Sequence, residues 1–238
     1  MTVENNGAWG KSHTGCKRKS NEDRYLIKIV SEISILAVAD GMGGLPGGEI
    51  AAQIVIDTFQ EHVFSKTDLE TDLKTVLLTA EKKILQKIQE NPKLEGMGTT
   101  ATAATVYQSK VFWIHIGDSR LYLLRNKKIK QITKDHTFIQ DLIDDGTLSP
   151  EQAYKHPLKN MLDQCLGCDD SESDCGIFQI KKNDRLLLCT DGLTKHLPDS
   201  QIESIMAINS IHEAGRQLIE ESLKMGGSDN ITIVIKNF

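Results

Sequence analysis

Three apolar runs in this 238-residue chain end on an aspartate followed by Gly or Ser: ILAVAD-GMGG at Asp40, FWIHIGD-SR at Asp118 and LLLCTD-GL at Asp191. A fourth, GGSD-NITIVI, reverses the order and sets Asp229 just ahead of an apolar run. Any one of these is most simply a turn or a helix cap. Four together carry more weight, because aspartates at the ends of packed strands can converge on one rim, where bare like charges repel and raise each other's pKa. A cation relieves that repulsion. An all-oxygen ligand set suits magnesium or manganese, and the lack of paired Cys and His ligands disfavours zinc.

A second cluster lies near the N-terminus, Arg18-Lys19-Ser20-Asn21-Glu22-Asp23-Arg24. Alone it reads as a solvated charged turn. Beside a carboxylate metal centre it gains a function, since a planar guanidinium grips phosphate bidentately while the adjacent acids ligate metal. Arginine with two cations is a site for a phosphate ester. The glycines around Asp40 (Gly41, Gly43, Gly44, Gly47 and Gly48) allow close backbone approach and positive φ ahead of a helix. They match neither GxGxxG nor the Walker pattern, so a nucleotide-binding loop is disfavoured.

These residues need strands and helices to position them. Apolar periodicity predicts helices over about Gly48 to Phe64 and Asp68 to Gln89, the second opened by a capping box, Thr67-x-x-Glu70. Two further boxes, Ser149-Pro150-Glu151-Gln152 and Ser210-x-x-Glu213, open a short helix and a C-terminal one that stops at Gly226-Gly227. Strands are expected at Arg24 to Ile29, Ser34 to Ala39, Thr99 to Tyr107, Val111 to Ile116, Leu121 to Leu124, Ile177 to Ile180, Arg185 to Cys189 and Ile231 to Ile235. Short connections, as between Tyr107 and Val111, force antiparallel pairing. Blocks of helix with many antiparallel strands give an α+β layered sandwich. The polar stretch from about Asp135 to Asp174 lacks strong strand signals and is expected to form a flap over part of the site.

Composition narrows the partners. A formal charge of -5 supplies no electrostatic footprint for nucleic acid, and no apolar run is long enough to cross a membrane. With no signal peptide visible, a cytoplasmic location is expected. The five cysteines are an odd number, which argues against a disulfide framework and fits a reducing compartment. Cys165-x-x-Cys168 has only Cys175 as a nearby third ligand, too few for structural zinc. Cys189 and His115, inside apolar runs, read as core residues, and His136 and His156 as structural hydrogen-bonding groups.

The motifs GCKRKSNEDR, VADGMGG, GTTATAA, IGDSRLY, ITKDHT, LLLCTDGL and GGSDNITIVI occur in the order found in the type 2C (PPM) serine/threonine protein phosphatases. The chain resembles the bacterial members of that family from about Gly7 to Ile235. The resemblance implies one catalytic domain over residues 1–238, built as a four-layer α/β/β/α sandwich of two antiparallel sheets flanked by helices. It further implies Mn2+- or Mg2+-dependent hydrolysis of phosphoserine and phosphothreonine by metal-activated water, opposing a serine/threonine kinase, in a monomer. Carried over by motif, Asp40 bridges two metals, with Glu22 and the Gly41 carbonyl on one and Asp191 and Asp229 on the other. Asp23 acts through water, Asp118 with Asp191 holds a weaker third metal, and Arg18 binds the substrate phosphate. Met42 departs from the histidine of many eukaryotic relatives and cannot protonate a leaving alkoxide. Two other readings stay open: a non-catalytic phosphoprotein binder, and a phosphatase of a small molecule or of a sigma-factor circuit.

Overall fold

A computed structural model describes residues 2–5, 7–42, 47–149, 152–153, 156–158, 161–168 and 171–238. Among the described residues eleven strands form two antiparallel sheets. The first runs, in spatial order, β1 (Thr2–Asn5), β2 (Ala8–His13), β11 (Ile231–Asn237), β10 (Arg185–Cys189), β7 (Arg120–Arg125) and β8 (Lys128–Gln131). The second runs β3 (Arg24–Val30), β4 (Ile33–Ala39), β5 (Ala101–Tyr107), β6 (Lys110–Ile116) and β9 (Asp174–Gln179). The described helices are α1 (Gly48–Glu61), α2 (Leu69–Glu90), α3 (Phe138–Asp144), α4 (Asp191–Thr194), α5 (Asp199–Met206) and α6 (Ile211–Lys224). None is long and apolar enough to cross a membrane.

The apolar runs are continuous because both faces of each central strand are covered. Along β4, Ile33, Ile35, Ala37 and Ala39 pack towards α1 and α2, whereas Leu36 and Val38 face the other sheet. Facing them across the inter-sheet layer are Leu121, Leu186, Leu188 and Val234. The opposite face of the first sheet, with Tyr122, Leu187, Ile233 and Ile235, packs on α5 and α6. The result is the expected α/β/β/α order. Tight two-residue hairpins keep the sheets antiparallel: Ser31 (φ 49°) and Glu32 (φ 73°) join β3 to β4, and Asn126 (φ 53°) and Lys127 (φ 62°) join β7 to β8. Positive φ at both central residues matches the twist of the flanking strands.

Several boundaries differ from the sequence expectation. The α2 cap is Asp68, whose carboxylate accepts from the Thr71 amide at 3.2 Å, rather than Thr67. A carboxylate at that position also favours the positive helix terminus. The Ser210 cap forms as expected, accepting from Glu213 N. Ser149 and Gln152 bond each other reciprocally, but Pro150 and Glu151 lie outside the described residues. The strand expected at Ile177 to Ile180 begins earlier, at Asp174. Strands β1, β2 and β8 and helices α4 and α5 have no counterpart in the sequence reading, while α3 is one of the short helical pieces of the stretch from about Asp135 to Asp174. Cys165 and Cys168 are joined as a disulfide, against the expectation of free thiols, because a turn brings their Cα atoms to 5.4 Å. Cys16, Cys175 and Cys189 are free.

Gly215 of α6 faces the indole of Trp9 on β2. A Cβ there would lie 2.1 Å from the ring. Gly215→Ala gains up to about 1 kcal/mol of helix propensity but overpacks a rigid aromatic, a penalty of about 1 to 3 kcal/mol. Urea unfolding of the variant is expected to show a lower midpoint; an unchanged or higher one would mean that the indole moves freely aside.

Candidate active site

Strand register brings the acidic residues to one end of the sandwich. Arg24 pairs with Ala39, so Asp23 and Asp40 flank each other just beyond β3 and β4. Ala101 pairs with Ile116, which sets the Gly117-Asp118 turn beside Thr100. Gly117 takes φ +106°, and a Cβ there would meet the Thr100 side chain at 2.5 Å. In the first sheet, Cys189 pairs with both Ile233 and Arg120, so Asp191, Asp229 and Asp118 enter from the same end. The sheets thus face a common cavity of about 440 Å3, lined by Arg18, Asp40, Met42, Asp118, Asp191 and Asp229.

The N-terminal loop that supplies Arg18, Glu22 and Asp23 is fastened by one side chain. Asn230 accepts from Glu22 N at 2.8 Å and donates to the carbonyls of Thr14 and Ser20, each at 2.9 Å. Arg18 forms a forked pair with Asp229, Nε to Oδ1 at 2.8 Å and Nη2 to Oδ2 at 3.1 Å. The buried carboxylate of Asp23 accepts from the Thr190 hydroxyl at 2.8 Å. Thr99 Oγ1 and Thr100 N both donate to the Asp40 carbonyl, at 2.8 and 2.9 Å. Two of the glycines are required for closeness: a Cβ on Gly41 would sit 2.4 Å from the Gly48 backbone, and one on Gly48 would be 2.8 Å from Glu22 Oε2. Gly47 takes φ +84°, while Gly43 and Gly44 lie outside the described residues.

The electrostatics are those of crowded acids. Burial, then the neighbouring charge of Asp191, pushes the Asp23 carboxyl up to about 7, even though Thr232 and Thr190 hydrogen bonds oppose the shift. Burial and the charges of Asp23, Asp191 and Asp118 raise Asp40 well above the usual carboxylate range. Asp118 is raised by burial and by Asp191. Asp229 goes the other way: burial would raise it, but Lys195, Arg18 and the Asn230 amide outweigh burial and hold it low. Lys195 was missed by sequence reasoning. Its ammonium pairs with Asp191 and, at 2.8 Å, with Asp229, and these partners keep it firmly charged despite burial. The i,i+4 spacing from Asp191 carries that signal only once Asp191 is known to start a helix.

Among the described residues no three acidic side chains close into a ready coordination shell, and Asp229 and Asp191 are instead paired with Arg18 and Lys195. The site nevertheless fits a hard cation. Glu22 Oε2, Asp23 Oδ1 and Asp191 Oδ1 are buried without a hydrogen-bond partner among the described residues. Buried polar atoms are almost always satisfied, and three orphaned acid oxygens at one end of the sandwich are a donor set that a hard cation would satisfy. The remaining orphan, Thr105 Oγ1, lies along β5 away from the site.

The expected bystanders are structural. His115 is fully buried between Thr102 and the Lys134 carbonyl, and burial lowers it to about 3. His136 bonds Gly117 N and Asp174, and His156 accepts from Leu158 N. Cys189 is buried, which pushes its thiol up to about 12.

The sequence matches the family model Protein phosphatase 2C over residues 9–225. Serine/threonine protein phosphatase PstP of Mycobacterium tuberculosis is 37% identical over 227 residues, 94% of this chain and 43% of that protein. The chain therefore spans less than half the length of that relative. Serine/threonine phosphatase stp of Listeria monocytogenes is 35% identical over 234 residues, covering 94% of this chain and 93% of that one. The crystal structure of the PstP catalytic domain in complex with two manganese ions superposes with a TM-score of 0.87 at 35% identity, over 97% of this chain and 96% of that one.

Carboxyls raised by burial and mutual repulsion keep protons in the metal-free protein, and a cation that replaces those protons must release them. Since Asp23 sits near 7, a larger share is protonated on the acid side of that value. Titration with Mn2+ is expected to release on the order of one proton or more per protein at about pH 6, and fewer at about pH 8. Calorimetry in two buffers of different ionisation enthalpy reads this directly. Release that is absent, or larger at the higher pH, would show that the acids are already ionised before metal arrives.

Proposed function

Because the chain belongs to the protein phosphatase 2C family, as one of its bacterial-type serine/threonine phosphatases, we propose that it hydrolyses phosphoserine and phosphothreonine in proteins. The observation that carries this reading is the set of orphaned acid oxygens on Glu22, Asp23 and Asp191 around the partly screened Asp40. The cofactor is Mn2+ or Mg2+, with manganese supported by the two ions bound in PstP. Asp40 would serve both cations, with Glu22 and the Gly41 carbonyl on one and Asp191 and Asp229 on the other. Asp23 would act through water, and Asp118 with Asp191 would hold a weaker third ion. Cations held in this way lower the pKa of water and neutralise charge on phosphoryl oxygens.

The chain's own groups do the rest. Arg18 reaches the cavity from the loop fastened by Asn230 and offers a forked donor set to the phosphate. That fork is paired with Asp229, so substrate binding requires the guanidinium to share or exchange partners. Lys195 offsets acid charge where cations are fewer. Within the expected flap, Met161 and Leu162 line the cavity wall and would contact the substrate around the phosphoresidue. The products returned are those of a serine/threonine kinase, and the enzyme works as a cytoplasmic monomer without nucleic acid or membrane.

The direct test is Mn2+-dependent release of phosphate from a phosphothreonine peptide. Asp40→Asn is expected to lower kcat at least about a hundredfold at saturating Mn2+, in the range seen when one electrostatic stabiliser is lost. Near-native turnover by that variant would remove the metal assignment.

Met42 lines the cavity and has no proton to give, so a poor leaving group must be protonated from elsewhere. Asp118, half-buried, repelled by Asp191 and facing the same cavity, would serve that proton transfer through the third cation that it would hold. Asp118→Ala is expected to reduce turnover of a phosphothreonine peptide at least about tenfold more than that of p-nitrophenyl phosphate, whose phenolate leaves unaided. Equal proportional losses, in a variant that melts normally and binds two metals, would assign Asp118 a role unconnected with proton transfer.

A further inference from the structure

One group of residues on the cavity wall has no part in the chemistry above: the Cys165-Leu166-Gly167-Cys168 turn. It lies in a strap, residues 161–168, that connects two parts of the site. Leu166 and Thr99 exchange backbone hydrogen bonds at 2.9 and 3.0 Å, and Thr99 in turn donates its hydroxyl to the Asp40 carbonyl. At the other end, Phe138 N bonds the Met161 carbonyl and Asp163 N bonds the His136 carbonyl, both at 3.0 Å. Met161, Leu162, Cys165 and Cys168 all face the cavity that holds Asp40 and Arg18.

The two sulfurs are unequally exposed and already within bonding reach. Cys165 is fully buried and Cys168 only partly. Their Cα separation of 5.4 Å falls within the ordinary disulfide range. Gly167 permits the tight turn with φ +88°, where a Cβ would strike the Met97 carbonyl at 2.4 Å, and its amide is held by Glu81 at 2.8 Å. Cys16, Cys175 and Cys189 remain free, so this is a single bridge rather than a framework. In a chain that otherwise keeps its thiols, an isolated bridge of this kind belongs to a reversible, redox-responsive element.

We infer that Cys165 and Cys168 form a reversible thiol–disulfide switch that sets how well the cavity wall receives a phosphopeptide. The oxidant is a peroxide. The accessible Cys168 thiolate attacks the O–O bond, becoming a sulfenic acid as one water is released. The Cys165 thiol then attacks that sulfur, forming the S–S bond and releasing a second water, so two thiols lose two electrons and two protons in all. A dithiol reductant reverses the step through a mixed disulfide. The bridge fixes the strap in its seated form, so the substrate does not have to order it on binding. Reduction frees the turn. Its effect falls on peptides long enough to lie along the strap, not on a small aryl phosphate that meets only the acid side of the cavity. This rests on the phosphopeptide reading of the cavity, whereas formation of the bridge does not.

The experiment uses the full chain with Mn2+, equilibrated over a series of reduced-to-oxidised dithiothreitol ratios. Alkylation and peptide mass analysis are expected to show Cys165 and Cys168 passing together from thiols to a disulfide, along a two-electron curve with a slope of about 30 mV per decade. Over the same range the KM for a phosphothreonine peptide is expected to rise at least about threefold on reduction, while kcat/KM for p-nitrophenyl phosphate changes by less than about twofold. Cys165→Ser/Cys168→Ser should have the high KM at every potential. If the double variant folds poorly, Cys168→Ser alone, which keeps the buried Cys165, should give the same potential-independent KM. Thiols that persist at the oxidising limit would overturn the switch at its chemical step. A KM that ignores potential in the wild type, or that still follows it in the cysteine variants, would overturn its functional consequence. Absence of peptide turnover at every potential would instead sink the phosphopeptide reading, and the alkylation result would still decide the bridge.

Discussion

The organising constraint of this molecule is the confinement of like charge. Asp23, Asp40, Asp118 and Asp191 meet at one end of a sandwich whose interior is apolar, and burial and repulsion together drive three of them away from ionisation. Such an arrangement persists only if the backbone leaves the acids no escape. The escape is closed by strand register: each acid sits one or two residues beyond a paired strand end, so separating two of them means breaking a ladder. The two basic residues that enter, Arg18 and Lys195, both attach to Asp229. Asp229 is accordingly the acid held below its ordinary range.

Much of this was legible in the residues. Strands covered on both faces read as unbroken apolar runs, and the change from a run such as ILAVA to Asp-Gly marks both the strand end and the acid it delivers. Helices α1 and α2 were visible through their periodicity, and α6 through its Ser210 capping box and the glycines that follow it. Strand β2, AWGKSH, was not, since only its first half is buried and a mixed hexapeptide has no clear period. Asn230 was equally silent. Its importance lies in bonds to Thr14, Ser20 and Glu22, more than 200 residues distant, and spacing along a chain carries no trace of such a contact.

The Asp68 and Cys165 discrepancies share a cause. Thr67-x-x-Glu70 satisfies the capping pattern, but Asp68 supplies an acceptor with a full charge one residue later, and a charge at a helix N-terminus outcompetes a hydroxyl. Counting cysteines likewise addresses how many bridges a chain could hold. It does not address whether a local turn with a left-handed glycine has already brought two sulfurs together. In both places the local backbone decided, and composition was a weaker guide.

The site also depends on residues that never touch it. Its acids come from both sheets, and the sheets are joined at that end by few direct bonds, among them Thr190 to Asp23 and Asn230 to Glu22. Their relative position is otherwise set by the inter-sheet layer of Leu36, Val38, Leu121, Leu188 and Val234. Side chains in such a layer interlock at close-packed density, so a change of even one methylene is felt by the neighbours. Because Leu36 and Val38 lie on the strand that ends at Asp40, and Leu188 on the strand that leads to Asp191, a shift in their packing moves one acid relative to the other. The apolar layer between the sheets therefore acts as the ruler for the carboxylate spacing, and the chemistry of the rim is bounded by how rigidly that layer is filled.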